Sequence, residues 1–240
     1  MMADKKRALR LSSLVESFRR FVGFEPAFNP TDYWERRHRK HLNALTGVGH
    51  ISLSDAENER DYTVKLSRMT AAIERAVGEL GGKSVLDAGC GIGVLTRVLA
   101  EKGANVHGVD VSQTGLSLAK KRVPTAEFEC VELDKLPYKA AFDVVVSMDV
   151  LFHIVDDVKW KEAICRFAAA IKADGVIIIQ EAFGMKGAPH SPPHVRWRTV
   201  DEYGTALADA GLEICGTEEY MLPSEEVAKT ILTINNKQRP

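Results

Sequence analysis

From residue 83 onward the chain alternates between short apolar runs and stretches of helical spacing. That alternation restricts the folds open to it more than any other feature. SVLDAG, NVHGVD, EFECVEL, FDVVVSMD and GVIIIQE are rich in β-branched residues and nearly continuous in apolar character. Strands of that kind are buried on both faces, which requires a mainly parallel sheet with helices on each side. Between them, Val94, Leu95, Val98 and Leu99 predict a helix that Gly103 ends. Trp160, Ile164, Phe167 and Ile171 predict another, with Gly175 just beyond. Thr199 and Glu202 form a capping box for a third helix, in which Tyr203, Leu207 and Ala210 face inward. EICGTEEY and KTILTINN follow with no helix-length gap, so they are expected as an antiparallel hairpin at the sheet edge. The expected fold is α/β, with a mostly parallel seven-stranded sheet.

The first 80 residues read differently. Leu11, Leu14, Val15, Phe18, Phe21 and Val22 share one helix face. An irregular stretch follows, and Tyr62, Leu66, Met69, Ile73, Val77 and Leu80 then mark a second helix that Gly81-Gly82 stops. The chain therefore divides into a helical segment, 1–80, and an α/β domain, 81–240. Its 240 residues carry a formal net charge of −1, so no global positive field attracts nucleic acid. Four scattered cysteines with no CxxC pair argue against a zinc site or a disulfide framework and fit a reducing, cytoplasmic setting. No apolar run is long enough to span a bilayer, so no membrane partner is expected. Oligomeric state stays open, a homodimer included.

In an open α/β sheet, ligands bind beyond the carboxyl ends of the strands. VLDAGCGIG sits there, after the first strand. A dinucleotide fingerprint needs G-x-G-x-x-G, and in that frame Val94 replaces the last glycine. The spacing present is Asp87, Gly89, Gly91, Gly93. An aspartate entering the turn would repel a pyrophosphate but suits a ligand carrying an ammonium and a sulfonium.

The D-x-G-x-G-x-G turn resembles motif I of the class I S-adenosylmethionine-dependent methyltransferases, a Rossmann-like family. Three further segments fit in order. Asp110 ends the second strand, where the family places an acidic residue on the ribose hydroxyls. ELDKLPY matches the segment whose acidic residue, here Asp134, contacts the adenine amine. FDVVVSMDVLFHIVDD matches the fourth strand and its loop. The resemblance implies S-adenosyl-L-methionine as cofactor, S-adenosyl-L-homocysteine as product, and Asp87, Gly89, Cys90, Gly91, Gly93, Asp110, Val111, Leu133, Asp134 and Met148 around it. Asp110 as a cap for the helix starting near Ser112, and Cys90 as a small filler, are the plainer alternatives.

Methyl transfer is an in-line displacement, and positioning supplies much of its rate. A hydroxyl acceptor also needs its proton removed. His153, just past the fourth strand, is the first candidate base, with His190 and His194 in the connection after the fifth strand as further candidates. Pro192-Pro193 lies between those two and denies them the helix that HxxxH metal ligation needs. Arg196, Trp197 and Arg198 suit an acceptor-binding wall of one aromatic face between guanidinium groups. Tyr33-Trp34-Glu35 with Arg37, and HVRWR, resemble the YWE-x-R and HVR-x-R segments of methyltransferases encoded with glycan-pathway enzymes. That resemblance implies that the N-terminal segment caps the cleft, Tyr33 and Trp34 shielding the sulfonium and Arg37 reaching the cofactor carboxylate. The expected activity is O-methylation of a small molecule, a sugar or other secondary metabolite. N-methylation and a cofactor-binding but inactive partner subunit are the alternatives. No basic domain and no base-flipping motif point to a nucleic-acid substrate.

Overall fold

The computed structural model describes residues 28–42, 44–184, 192–224 and 228–237. The helix expected over Leu11–Val22 lies outside them, as does His190. Helix α1 spans Pro30–His41, with Asn29 as cap and Pro30 at its first position, where a missing N–H costs nothing. A single 3-10 turn, Leu45–Gly47, leads to α2, Asp55–Val77, which opens on a capping box of Ser54 and Glu57. α2 ends at Gly78, three residues before Gly81-Gly82: Gly78 takes φ 74° and donates its N–H to the Glu74 carbonyl. Leu80 remains buried beyond the helix end.

The α/β part runs β1 (Ser84–Ala88), α3 (Val94–Glu101), β2 (Asn105–Asp110), α4 (Gln113–Arg122), β3 (Glu127–Cys130), β4 (Phe142–Met148), α5 (Asp157–Ala170), β5 (Ile171–Glu181), α6 (Val200–Asp209), β6 (Leu212–Tyr220) and β7 (Lys229–Asn236). The seven strands form one sheet in the order β3-β2-β1-β4-β5-β7-β6. The first five are parallel, and β7 runs antiparallel to both β5 and β6. The hairpin thus folds back so that its second strand is the inner one. Burial explains the choice: Thr230, Ile231, Leu232 and Ile234 of β7 are buried, whereas β6 alternates and presents Glu213, Cys215, Thr217 and Glu219 to solvent. A strand that alternates buried and exposed residues tolerates the edge, whereas one buried over most of its length does not.

Alternate residues of the strands feed two cores. Leu86, Val145, Ile177 and Ile179 pack with Trp160, Ile164 and Phe167 of α5 and with Tyr203 and Leu207 of α6. Val85, Val144, Val146, Val176 and Ile178 pack with Met69 and Ile73 of α2 and with Leu95 and Leu99 of α3. α2 is therefore built into one sheet face, while α1 lies beside the cleft. Ile171, expected on α5, is extended instead and pairs with Phe142 as the start of β5. The Thr199–Glu202 capping box opens α6 as the sequence predicts. Strand order reverses between β2-β1 and β4-β5, which places a crevice at the carboxyl end of β1.

Candidate active site

Past Ala88 the chain makes three left-handed turns, at Gly89 (φ 86°), Gly91 (φ 53°) and Gly93 (φ 78°). The Gly89 and Cys90 N–H groups donate to the Val109 carbonyl at 2.8 and 2.9 Å, which folds the turn against the end of β2. A Cβ on Gly89 would lie 2.5 Å from both methyls of Val150, so a side chain there fails on backbone and on space. Gly93 serves another purpose. It is the N-cap of α3, and a Cβ there would meet Ala119 of α4 at 3.0 Å.

Two carboxylates, the buried Asp87 and the half-buried Asp110, face the cavity beyond the turn. Asp87 is 2 % exposed and accepts the Thr96 hydroxyl at 2.6 Å. Burial pushes its pKa up to about 6, against the pull of that hydrogen bond. Asp110 accepts the Gly91 N–H on one oxygen and the Ser112 N–H on the other, both at 2.9 Å. Those donors pin the carboxylate at the mouth of β2, while burial raises its pKa. The cap of α4 is Ser112, whose hydroxyl accepts the Gly115 N–H, so Asp110 is left to face the cleft. A cavity of about 280 Å³ joins Asp87, Gly89, Cys90, Gly91, Asp110, Val111, Leu133, Asp134 and Met148.

His153 closes the far side of the same cavity. Its Nδ1 donates to the His194 carbonyl at 2.7 Å, which leaves Nε2 with the lone pair. Trp34 stands edge-on to it at 4.8 Å between ring centres. Burial drives its pKa down to about 3, so the imidazole is neutral across the physiological range. Glu181, at the end of β5, holds the loop that carries His153. Its carboxylate accepts the Val150, Leu151 and Phe152 N–H groups at 2.8 to 3.0 Å. Asp149 sits at φ 58°, with its carboxylate between the buried Lys65 and Lys229 at 2.8 and 3.2 Å.

α1 is fastened to the domain by Glu35. That carboxylate accepts the Ser112 hydroxyl at 2.8 Å and the Thr114 N–H and hydroxyl at 3.1 and 2.6 Å. It therefore caps the first turn of α4, where a helix favours negative charge. Burial would raise its pKa, but those hydrogen bonds and Arg39 hold it at about 2. The attachment brings Trp34 and His38 into the cavity wall.

Residues 85–175 match the family described as a methyltransferase domain. The matched stretch runs from the glycine turn through Asp110 and His153, the groups that line the cleft. Residues 85–175 form a methyltransferase domain. The chain is 34 % identical over 109 residues to a ubiquinone biosynthesis O-methyltransferase of Bradyrhizobium diazoefficiens, 44 % of this chain and 42 % of that one. It is 35 % identical over 111 residues to the enzyme of that name from Idiomarina loihiensis, covering 44 % of each. The chain thus spans about two fifths of the length of the curated relatives it matches. In fold it resembles magnesium protoporphyrin IX methyltransferase of Synechocystis, with TM-score 0.69, 21 % identity, and 88 % of this chain and all of that one covered. A [4+2]-cyclase shares the fold at TM-score 0.60 and 21 % identity, over 70 % of this chain and 80 % of its own, so the architecture alone does not settle a reaction.

The residues of the methyltransferase domain fit the cofactor: left-handed glycines strip the turn bare, and two carboxylates face the space where cationic and hydroxyl groups need partners. Several expected positions are used otherwise. Arg37 reaches the carbonyls of Thr46 (3.1 Å) and Gly49 and lies over the Trp34 ring at 5.1 Å, so it clamps the turn after α1. Tyr33 accepts from Arg37 and stacks on His194 at 4.6 Å. Arg198, expected on the acceptor wall, is 2 % exposed and turned onto Asp157 (2.8 Å), the Ile154 carbonyl and the face of Trp160. Arg196 pairs with the same aspartate, and the Trp197 ring lies tilted against Phe152 with ring centres 5.1 Å apart. Both arginines fasten the 192–199 segment to α5, because Asp157 in the first helical turn is the nearest counter-charge. Glu181 and His38 were not singled out from the sequence, and Glu35 is marked there only as a member of the YWE-x-R segment, with no role. Their places follow from segments that folding brings from elsewhere: Glu181 accepts backbone N–H groups of the loop after β4, and Glu35 fastens the helix that carries His38.

Proposed function

We propose that the whole chain is an S-adenosylmethionine-dependent methyltransferase that methylates a hydroxyl oxygen of a small molecule, with His153 as the base. The observation that carries this reading is the neutral imidazole, its Nε2 without a hydrogen-bond partner among the described residues, in the same cavity as the glycine turn and Asp110. The curated relatives' names support oxygen as the accepting atom. When bound, S-adenosylmethionine supplies a methyl carbon already activated by its sulfonium. The protein's share is placement and the proton. His153 Nε2 takes the proton of the acceptor hydroxyl, and the His194 carbonyl holds the ring by Nδ1–H through that step. The N-terminal helical segment contributes the cap, with Trp34 as the aromatic wall beside His153.

A half-buried imidazole of lowered basicity serves an acidic hydroxyl better than an aliphatic one, and the neighbouring rings of Phe28, Trp34 and His153 suit a flat acceptor. Both considerations favour a phenolic or enolic hydroxyl over a sugar. Labelled-methyl turnover over a panel of phenols, sugars and amines tests this, with phenols expected to lead. Amine methylation alone would overturn the choice of oxygen, and cofactor binding without turnover on any class would favour a silent partner subunit. His153→Ala is expected to keep cofactor affinity and lose about 10²-fold in kcat at saturating acceptor. An unchanged kcat would remove the histidine from the chemistry.

A further inference from the structure

His38 is 1 % exposed, it lines the cavity, and neither ring nitrogen has a hydrogen-bond partner among the described residues. Its ring packs against the first turn of α4, where a Cβ on Gly115 would fall 2.7 Å from His38 Nδ1, and its Nε2 reaches toward the glycine turn, 4.0 Å from where a Cβ on Gly91 would stand. The helix thus lacks a side chain where the imidazole enters. The charged groups that act on it are Asp110 from β2, and Arg37 and Glu35 from its own helix. Leaving two polar atoms buried and unpaired is costly, and a packing role alone would be filled better by a hydrocarbon ring.

We infer that His38 is a cofactor-binding residue, which completes with Asp110 the recognition of the ribose hydroxyls of S-adenosylmethionine. The inference rests on the reading of this cavity as the cofactor cleft. A neutral imidazole offers one N–H and one lone pair, and a ribose hydroxyl is both donor and acceptor. Asp110 has spent one lone pair of each oxygen on a backbone N–H, so it still accepts a hydroxyl proton but offers no donor. The His38 N–H supplies that missing donor to the same hydroxyl oxygen. The arrangement also gives α1 a direct hold on the cofactor: Glu35 fastens the helix and His38, one turn on, delivers the contact.

Calorimetry with S-adenosylhomocysteine and with its 2′-deoxy and 3′-deoxy analogues tests the assignment on wild type and His38→Phe, alongside thermal melts of the cofactor-free proteins. The expected result is a melting temperature for His38→Phe no lower than wild type, and an affinity for S-adenosylhomocysteine reduced about tenfold, the scale of one lost hydrogen bond to a buried polar group. With at least one deoxy analogue the two proteins should bind alike, because the group that His38 reads is gone. His38→Asn, which keeps a donor and an acceptor, should bind S-adenosylhomocysteine better than His38→Phe. A lowered melting temperature or failure to fold in His38→Phe would mark the imidazole as packing and overturn the assignment. Equal affinities for S-adenosylhomocysteine, or the same loss with every analogue, would overturn it too. Wild type that does not bind S-adenosylhomocysteine would instead sink the cofactor reading, and this inference with it.

Discussion

Asp110 shows how one side chain is made to serve two purposes. Each oxygen takes a backbone N–H, from Gly91 across the turn and from Ser112 at the start of α4. The same bonds that hold the loop also aim the carboxylate. On the proposed reading Asp110 is the charged acceptor for the ribose, so with Asp110→Ala S-adenosylhomocysteine should bind more weakly by ~1–3 kcal/mol in calorimetry. Affinity equal to wild type would disprove the assignment. Asp110 was legible in the sequence because it ends a strand at a set distance from the glycine turn. His38 was not, because its burial is decided by where Glu35 attaches α1, and nothing in RRHRKH separates one histidine from its exposed neighbours.

Among the elements, the loop after β4 has the most demanding environment. It carries Asp149 at φ 58° and His153 in the cavity wall, and it is held from β5 by the three N–H bonds to Glu181. Burial, and then the charge of Asp149, push the Glu181 pKa from its ordinary 4.5 up to about 8, although the N–H bonds pull the other way. The folded protein therefore keeps a proton that the unfolded chain releases between those values. Stability from this group is full below about pH 4.5 and is lost as pH rises toward 8. Glu181→Gln keeps a carbonyl oxygen for the loop and removes the titration. Urea midpoints should fall less between pH 6 and pH 9 in the variant than in wild type, and parallel slopes would refute this. The repeats of β-branched residues made β4 and β5 readable. The end of α5 was misread because Ile171 continues the helical spacing, yet pairing with Phe142 outweighs it.

For the molecule as a whole, the sheet is the common wall of two cores. Ile178 of β5 is fully buried on the face that packs against α2 and α3. Ile178→Ala should cost about 2–5 kcal/mol in chemical denaturation, the range for a cavity in a well-packed interior, and a loss well under that would mean the face repacks. The described residues contain no helix long and apolar enough to cross a membrane.

Periodicity and the glycine spacing by themselves determined the alternation of strands and helices, the site of the turn and the identity of its two acids. These depend on neighbours within a few residues, where side-chain period and backbone freedom are expressed directly. Only the tertiary structure decided that β7 lies inside β6, that Arg196 and Arg198 pair with Asp157 of α5, and that Glu35 draws His38 into the cleft. Those outcomes depend on which buried surface or counter-charge is nearest after distant segments meet, and that proximity has no local signature in the chain.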